Sequence, residues 1–137
     1  MPKYLGIDYG MKRCGLAITD SLGMIATAFQ GVETREFDDK IPVIVADEKI
    51  DVVVFGMPKR LHGEENDMSA EVRKKKEWLQ QKFPKLKIDE CDERFTSKMA
   101  KDSMLEMGLK KKERRNKALV DEIAATILLQ EYLQSLS

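Results

Sequence analysis

The chain is poor in residues that bind zinc or form covalent cross-links, with two cysteines and one histidine among 137 residues. Cys14 and Cys91 cannot form a disulfide framework, and with a single histidine they do not make a zinc site. Both thiols are expected to act as small apolar side chains in a reducing compartment. The sequence also lacks an apolar run of membrane-spanning length, so we expect a cytoplasmic protein that does not contact membranes.

Net charge is absent as well, because 24 lysines and arginines balance 24 aspartates and glutamates. The field of the whole molecule will therefore not attract a polyanion, and local basic segments must do so. The length fits a single domain over residues 1–137, and the first residues lead directly into a strand pattern without a signal peptide. It is too short for the two-lobed architecture of sugar kinases and actin. The sequence does not indicate the oligomeric state.

Apolar periodicity predicts an α/β fold. Residues 3–9, 12–19 and 24–33 have the pattern of antiparallel strands, and the runs 51–56 and 86–91 that of parallel strands. Helices are predicted over 38–48, with Pro42 in the first turn, over 67–82, from Thr96 or Ser97 to about Met107, and over 120–133. This order predicts a mixed five-stranded sheet, with three antiparallel strands followed by parallel βαβ units and helices on both faces. The ribonuclease H-like fold has this architecture.

An acid lies at the end of the first predicted strand, in the segment Gly6-Ile7-Asp8-Tyr9-Gly10. Alternation puts Leu5 and Ile7 on one face and Asp8 on the other, and the glycines leave room beside the backbone. A buried carboxylate is costly unless a cation or hydrogen bonds compensate it. We therefore expect Asp8 to be a buried cation ligand, the alternative being an ordinary turn aspartate.

Asp121 is a second candidate, at the start of the last predicted helix. Ala124, Ala125 and Leu128 follow it at helical spacing, which directs Asp121 along an apolar face towards the sheet. The alternative is an aspartate that only complements the helix dipole.

Asp92 and Glu93, at the end of the last predicted strand, provide the third acidic site. Neighbouring strand residues face opposite ways, so one of the two is expected to enter the site. Glu93 is favoured for its longer reach, while Asp92 remains a possible ligand or hydrogen-bonding support. Arg94 is expected to clamp a phosphate or to pair with Asp92.

Acids that are distant in sequence, combined with few histidines, are typical of a magnesium site. Two Mg²⁺ ions roughly 3.5–4 Å apart can neutralise a phosphodiester, activate water and stabilise the leaving oxygen. The residues therefore point to phosphodiester hydrolysis.

Several polar and basic side chains are candidates for phosphate contacts near this site. They lie at the start of the second strand, in the loop after the fourth strand, after the fifth strand and before the last helix, where phosphate contact competes with simple solvation. These candidates are Lys12, Arg13, Lys59, Arg60, His62, Arg94, Thr96 and Lys117.

Four motifs in order resemble the YqgF (RuvX-like) family, to which Holliday junction resolution and pre-16S ribosomal RNA cleavage are ascribed. They are GIDYG at 6–10 with KRCGLA at 12–17, GMP at 56–58 with Gly63, DERFTS at 92–97, and Lys117 with DEIAA at 121–125 and ILL at 127–129. The resemblance spans nearly the whole chain, and the four motifs together are specific although each alone is weak.

The resemblance implies a ribonuclease H-like fold, Mg²⁺ or Mn²⁺ dependence, and metal binding by Asp8, Glu93 and Asp121. It also implies a cytoplasmic nuclease that matures the 5′ end of 16S ribosomal RNA on ribosomal precursor particles. Related junction resolvases carry their second acid on the strand next to the first, whereas residues 55–58 here are not acidic. The second acid must therefore come from Asp92 or Glu93, one strand further out.

Three other functions stay open at this point. A Holliday junction resolvase would cut branched DNA with the same acids. A non-catalytic nucleic-acid-binding module would bind in a salt-dependent way without needing a metal. Nucleotide binding of the actin-like kind is least favoured, because the chain has no P-loop and no second lobe.

Overall fold

The sheet is built from the segments with the clearest apolar patterns. The structure is a computed structural model and describes residues 2–20, 25–57, 67–92 and 117–136. Within these ranges the strands are β1 (Tyr4–Tyr9), β2 (Arg13–Thr19), β3 (Ala26–Ala28), β4 (Val32–Glu33), β5 (Val52–Met57) and β6 (Lys87–Asp92). A 3-10 turn covers Thr34–Glu36, and the helices are α1 (Phe37–Asp47), α2 (Asp67–Lys82) and α3 (Lys117–Ser135).

β1 lies at the centre of a mixed sheet with the order β3-β2-β1-β5-β6. β2 runs antiparallel to β1, whereas β5 runs parallel to β1 and β6 parallel to β5. Every residue of β5 is buried, as expected for a parallel strand covered on both faces. The predicted mixed α/β architecture is thus confirmed, and the acid at the end of β1 lies at the middle of the sheet.

The third predicted strand is interrupted, which corrects the expectation of one strand over 24–33. Both β3 and β4 pair with β2: Ala28 lies opposite Ala17, and Val32 opposite Cys14. Residues 29–31 therefore face only two residues of β2, which is a β-bulge. Because of the bulge the sheet counts six strands rather than five, and Val32 turns into the core.

The two faces of the sheet carry separate cores. On one face α1 and α2 pack against fully buried side chains such as Ile7, Leu16 and Phe55. On the other face α3 packs through Leu128 and Leu129 onto a cluster from β1, β2, β3 and β5. Helices on both faces confirm the predicted layering, and α3 is the element that covers the Asp8 side.

Two helix boundaries differ from the prediction. α1 begins at Phe37, whose buried ring packs 5.7 Å from that of Tyr9, so Pro42 lies inside the helix and not in its first turn. α3 begins at Lys117 rather than at residue 120, which moves Asp121 into the second turn. The predicted helix at Thr96 or Ser97 lies outside the described residues. Among the helices that are described, none combines the length and apolarity needed to cross a membrane.

Candidate active site

Asp8 is the next-to-last residue of β1 and faces the α3 side of the sheet. Its neighbours Ile7 and Tyr9 are buried in the core formed with α1 and α2, so strand alternation turns Asp8 the other way. The side chain is partly exposed, and the expectation that it would be buried is wrong. Asp8 lies near the carboxyl end of the strand, where solvent and a ligand can reach it.

Gly15 brings Asp121 beside Asp8. It is the antiparallel partner of Asp8, and directly opposite residues have Cβ atoms about 5 Å apart. A Cβ built on Gly15 would overlap the carbonyl oxygen of Asp121 and lie 3.0 Å from the Asp121 Cβ. The two acids therefore stand around one residue that has no side chain. The sequence predicts Asp8 and Asp121 as a pair, but it contains no signal for the role of Gly15.

A second glycine fixes the depth of α3 along the same strands. A Cβ on Gly6 would lie 2.9 Å from the Leu129 Cβ and 3.4 Å from the Ala125 carbonyl oxygen. Ala124, Ala125 and Leu128 are fully buried, which confirms the apolar face predicted for the residues after Asp121. Close packing at Gly6 and Gly15 thus holds Asp121 at a set height over the sheet.

Arg13 forms an ion pair with Asp121. Its Nε donates to Asp121 Oδ2 at 3.4 Å, and the two side chains are 37% and 32% exposed. Arg13 is paired in the strand register with Glu33, which accepts from Arg35 Nε at 2.6 Å. Arg13, Asp121, Glu33 and Glu122 line one cavity of about 170 Å³. The sequence predicts Arg13 only as a nucleic-acid contact and carries no signal for this ion pair or for the two glutamates.

Cys14 lies beneath the site on the opposite face of the sheet. Burial raises the pKa of its thiol, and the negative charges of Asp8 and Asp121 raise that pKa further. The fully buried thiol lies 3.5 Å from Thr34 Oγ1, and Thr34 donates to the Gly10 carbonyl oxygen at 2.6 Å. Cys14 is thus a neutral core residue, as predicted. Thr34 fixes the turn between β1 and β2, a role that its sequence context did not indicate.

The structure describes only some of the remaining predicted site residues. Asp92 pairs with Met57 at the carboxyl ends of β6 and β5, so its backbone lies one strand further from β1 than β5, as predicted. Lys117 is the first residue of α3, and Lys12 is exposed in the turn after β1. The other predicted residues lie outside the described ranges, namely Lys59, Arg60, His62, Glu93, Arg94 and Thr96.

The family model described as "RuvX: Holliday junction resolvase" matches residues 2–135. The chain belongs to the RuvX family. The resemblance predicted from four motifs is thereby confirmed.

Relatives of this RuvX chain match nearly its whole length. Proteins of Flavobacterium johnsoniae and Bacteroides thetaiotaomicron, each named "Putative pre-16S rRNA nuclease", are 43% and 44% identical over 135 residues. In both cases the match covers 98% of this chain and 98% of the relative.

Solved structures confirm the ribonuclease H-like fold. Fowlpox virus resolvase in complex with Holliday junction DNA superposes with a TM-score of 0.62 and 16% identity, covering 98% of each chain. RuvC of T. thermophilus with a Holliday junction substrate gives a TM-score of 0.58 and 17% identity, covering 99% of this chain and 96% of RuvC. At such identities the similarity establishes the fold alone.

The donor atoms of this RuvX chain suit a hard divalent cation. Asp8 and Asp121 offer carboxylate oxygens, both are partly exposed, and Gly15 leaves the space between their backbones free of a side chain. Among the described residues no three His, Cys, Asp or Glu side chains group as a complete metal site. The third predicted acid, Glu93, lies outside those residues. The described part of the chain thus contributes two carboxylates, a donor type that suits Mg²⁺ or Mn²⁺.

Proposed function

We propose that this RuvX chain is a metal-dependent endonuclease that hydrolyses phosphodiester bonds, and that residues 1–137 form one nuclease domain. The observation that carries the proposal is the convergence of Asp8 and Asp121 around Gly15. Two carboxylates brought together from opposite ends of a chain repel each other unless cations neutralise them. Arg13 pairs with Asp121, and a divalent cation between the two acids would neutralise both. Family membership and the resolvase-like fold support the same chemistry.

In this proposal Asp8, Asp121 and Glu93 hold Mg²⁺ or Mn²⁺, and Asp92 is a further ligand or supports Glu93. The bound cation would supply charge neutralisation at the phosphate and an activated water. Asp8, on the central strand, and Asp121, on a helix packed closely through glycine, keep their carboxylates at fixed positions. Fixed ligands reduce the rearrangement needed to reach the transition state.

Basic and polar side chains around the acids would hold the substrate backbone. Lys12 is exposed beside the end of β1, and Arg13 reaches the rim of the site. We propose the same role for Lys59, Arg60, His62, Arg94, Thr96 and Lys117. Such contacts bind phosphates without reading sequence, so they position the scissile bond but do not select it.

We further propose that the substrate is the 5′ end of precursor 16S ribosomal RNA, within ribosomal precursor particles in the cytoplasm. The support is the shared name of relatives that are 42–44% identical over nearly all of both chains. The second candidate is cleavage of branched DNA. It is favoured by the family description and by two solved resolvases of the same fold bound to Holliday junctions.

One experiment tests the activity and separates the substrates. Purified protein is given a labelled RNA spanning the 5′ end of precursor 16S RNA or a synthetic four-way DNA junction, with and without Mg²⁺ or Mn²⁺. We expect metal-dependent cleavage of the RNA. The cleavage rate of Asp8→Asn should fall by well over the roughly 10–100-fold that is typical when a residue that only supports a metal ligand is lost.

The matched control is Asp39→Asn, which removes the same charge from an exposed position on α1, a helix on the other face of the sheet. It should cleave like wild type. Cleavage of the junction alone would favour branched DNA as the substrate. If wild type cuts neither substrate with any divalent ion, the chain is a non-catalytic binding module, and full activity in Asp8→Asn would remove Asp8 from the mechanism.

A further inference from the structure

Arg13 occupies the carboxylate that the proposed function assigns to a divalent cation. The Nε–Oδ2 distance of 3.4 Å is long for an ion pair, and both side chains are about one-third exposed. A pair of this kind contributes little to stability, because water screens it and two side chains must be ordered to form it. The contact therefore neutralises Asp121 but can be exchanged at little cost.

Among the described residues, two further carboxylates lie near Arg13. Glu33 faces it across the strands but already pairs with Arg35 at 2.6 Å. Glu122 lines the same cavity of about 170 Å³ from α3. A guanidinium released from Asp121 would thus stand at an open, polar rim next to the exposed Lys12. A planar fork of donors at that rim suits the bidentate binding of a phosphate group.

We propose that Arg13 is a positioning residue that couples metal binding to nucleic-acid binding. Without a divalent cation its guanidinium neutralises Asp121. When a cation binds between Asp8 and Asp121, Arg13 leaves that carboxylate and becomes available to a substrate phosphate. The inference rests on the proposed function and adds to it an exchange of partners at one side chain.

Linkage determines what this exchange does to binding. Metal and guanidinium compete for Asp121, so Arg13 weakens metal binding in the free protein. Nucleic acid that engages Arg13 removes the competitor and tightens metal binding, and by reciprocity the metal tightens nucleic-acid binding by the same factor. The site would therefore load its metal preferentially when substrate is present.

The test measures Mn²⁺ binding by calorimetry and by the electron paramagnetic resonance of free Mn²⁺, with and without an uncleavable phosphorothioate analogue of the substrate. Arg13→Gln should bind Mn²⁺ about two- to fivefold more tightly than wild type when nucleic acid is absent. In Arg13→Gln the analogue should also no longer increase the Mn²⁺ affinity, as it does in wild type. Lys12→Gln is the control, because it removes an equal charge from the neighbouring residue; its Mn²⁺ affinity without nucleic acid should change less than twofold.

The outcomes separate the two proposals. If Asp8→Asn and wild type bind Mn²⁺ equally, the metal lies elsewhere and the proposed function fails. If Asp8→Asn no longer binds Mn²⁺ but the Mn²⁺ affinities of Arg13→Gln and Lys12→Gln rise equally, the rise comes from the loss of any nearby positive charge. The proposed exchange at Arg13 is then refuted. Retention of full coupling in Arg13→Gln would also overturn the exchange while leaving the metal site intact.

Discussion

The main chain of Asp121 lies directly against Gly15, so closely that any side chain at residue 15 would overlap the Asp121 carbonyl oxygen. The position of α3 over the sheet, and with it the position of one proposed metal ligand, depends on the absence of a single methyl group.

Gly15→Ala should therefore lower both stability and cleavage. Overpacking in a closed interface costs roughly 1–3 kcal/mol, and here the colliding atom is main chain that cannot rotate away. The control is Gly31→Ala, whose added Cβ would meet the Cys14 carbonyl oxygen at an ordinary 3.5 Å. Urea unfolding gives the free energies, and equal stability of the two variants would contradict the close approach.

Divalent cations should stabilise the folded protein through Asp8 and Asp121. A cation present at about tenfold its dissociation constant raises the free energy of unfolding by about 1.4 kcal/mol. A thermal unfolding scan detects this as a higher midpoint. Asp121→Asn should lose this gain while Asp39→Asn keeps it, and excess EDTA should remove it from wild type. An unchanged metal-induced shift in Asp121→Asn would exclude that carboxylate as a ligand.

Tyr132→Phe should destabilise the fold by about 1 kcal/mol at neutral pH. The Tyr132 hydroxyl donates to Asp89 Oδ2 at 2.6 Å and ties α3 to β6, and a hydrogen bond to a charged group at a partly exposed position has about this strength. The measurement is urea unfolding of both proteins at pH 7, where a loss below the experimental error would show that solvent replaces the hydroxyl.

The same hydrogen bond gives a pH dependence. Donation by Tyr132 is the main cause that lowers the pKa of Asp89 below its ordinary value. A depressed carboxyl pKa contributes stability that is present above the ordinary value, near pH 4, and is lost as the pH falls through the lowered one. The stability difference between wild type and Tyr132→Phe should accordingly be constant from pH 5 to 7 and shrink below about pH 4.

Cys14 should resist thiol reagents in the folded protein. It is fully buried, and burial raises the pKa of its thiol, so the reactive thiolate is scarce and inaccessible. Cys91 is only partly buried and should be alkylated first. Mass spectrometry of labelled peptides should show Cys14 reacting more than about a hundredfold slower, at a rate set by unfolding. Comparable rates would show that the sheet opens locally at β2.

Elements whose type is decided by one local pattern are predictable from the sequence. The continuous apolar run of β5 and the periodicity of α2 define those elements almost to the residue. The prediction of one continuous strand over 24–33 was wrong, because a bulge preserves a strand-like composition while it shifts the pairing by one residue. The predicted start of α1 differs by one residue, because Phe37 is buried against rings from distant elements.

The candidate site was predictable in its acids but not in its contacts. Asp8 and Asp121 are each unusual for a charged residue in an apolar setting, and that signal is local. The Arg13–Asp121 pair joins residues 108 positions apart. Gly15 matters because it lacks a Cβ, which lets the main chain of Asp121 approach β2. Such features exist only once α3 is packed on β2, so no window of sequence can contain them.

The bulge at residues 29–31 makes the length of that connection critical. If the chain kept its length and paired with β2 in the register of β3 throughout, Val32 would face Arg13 instead of Cys14. Val32 would then leave the core and Glu33 would be forced into it, since a one-residue slip inverts every side chain. Loss of one residue from this stretch would remove only the bulge and keep Val32 opposite Cys14, whereas loss of two would slip β4 by one residue. Evolution can therefore shorten the stretch by one residue, but not by two, without rebuilding the edge of the sheet.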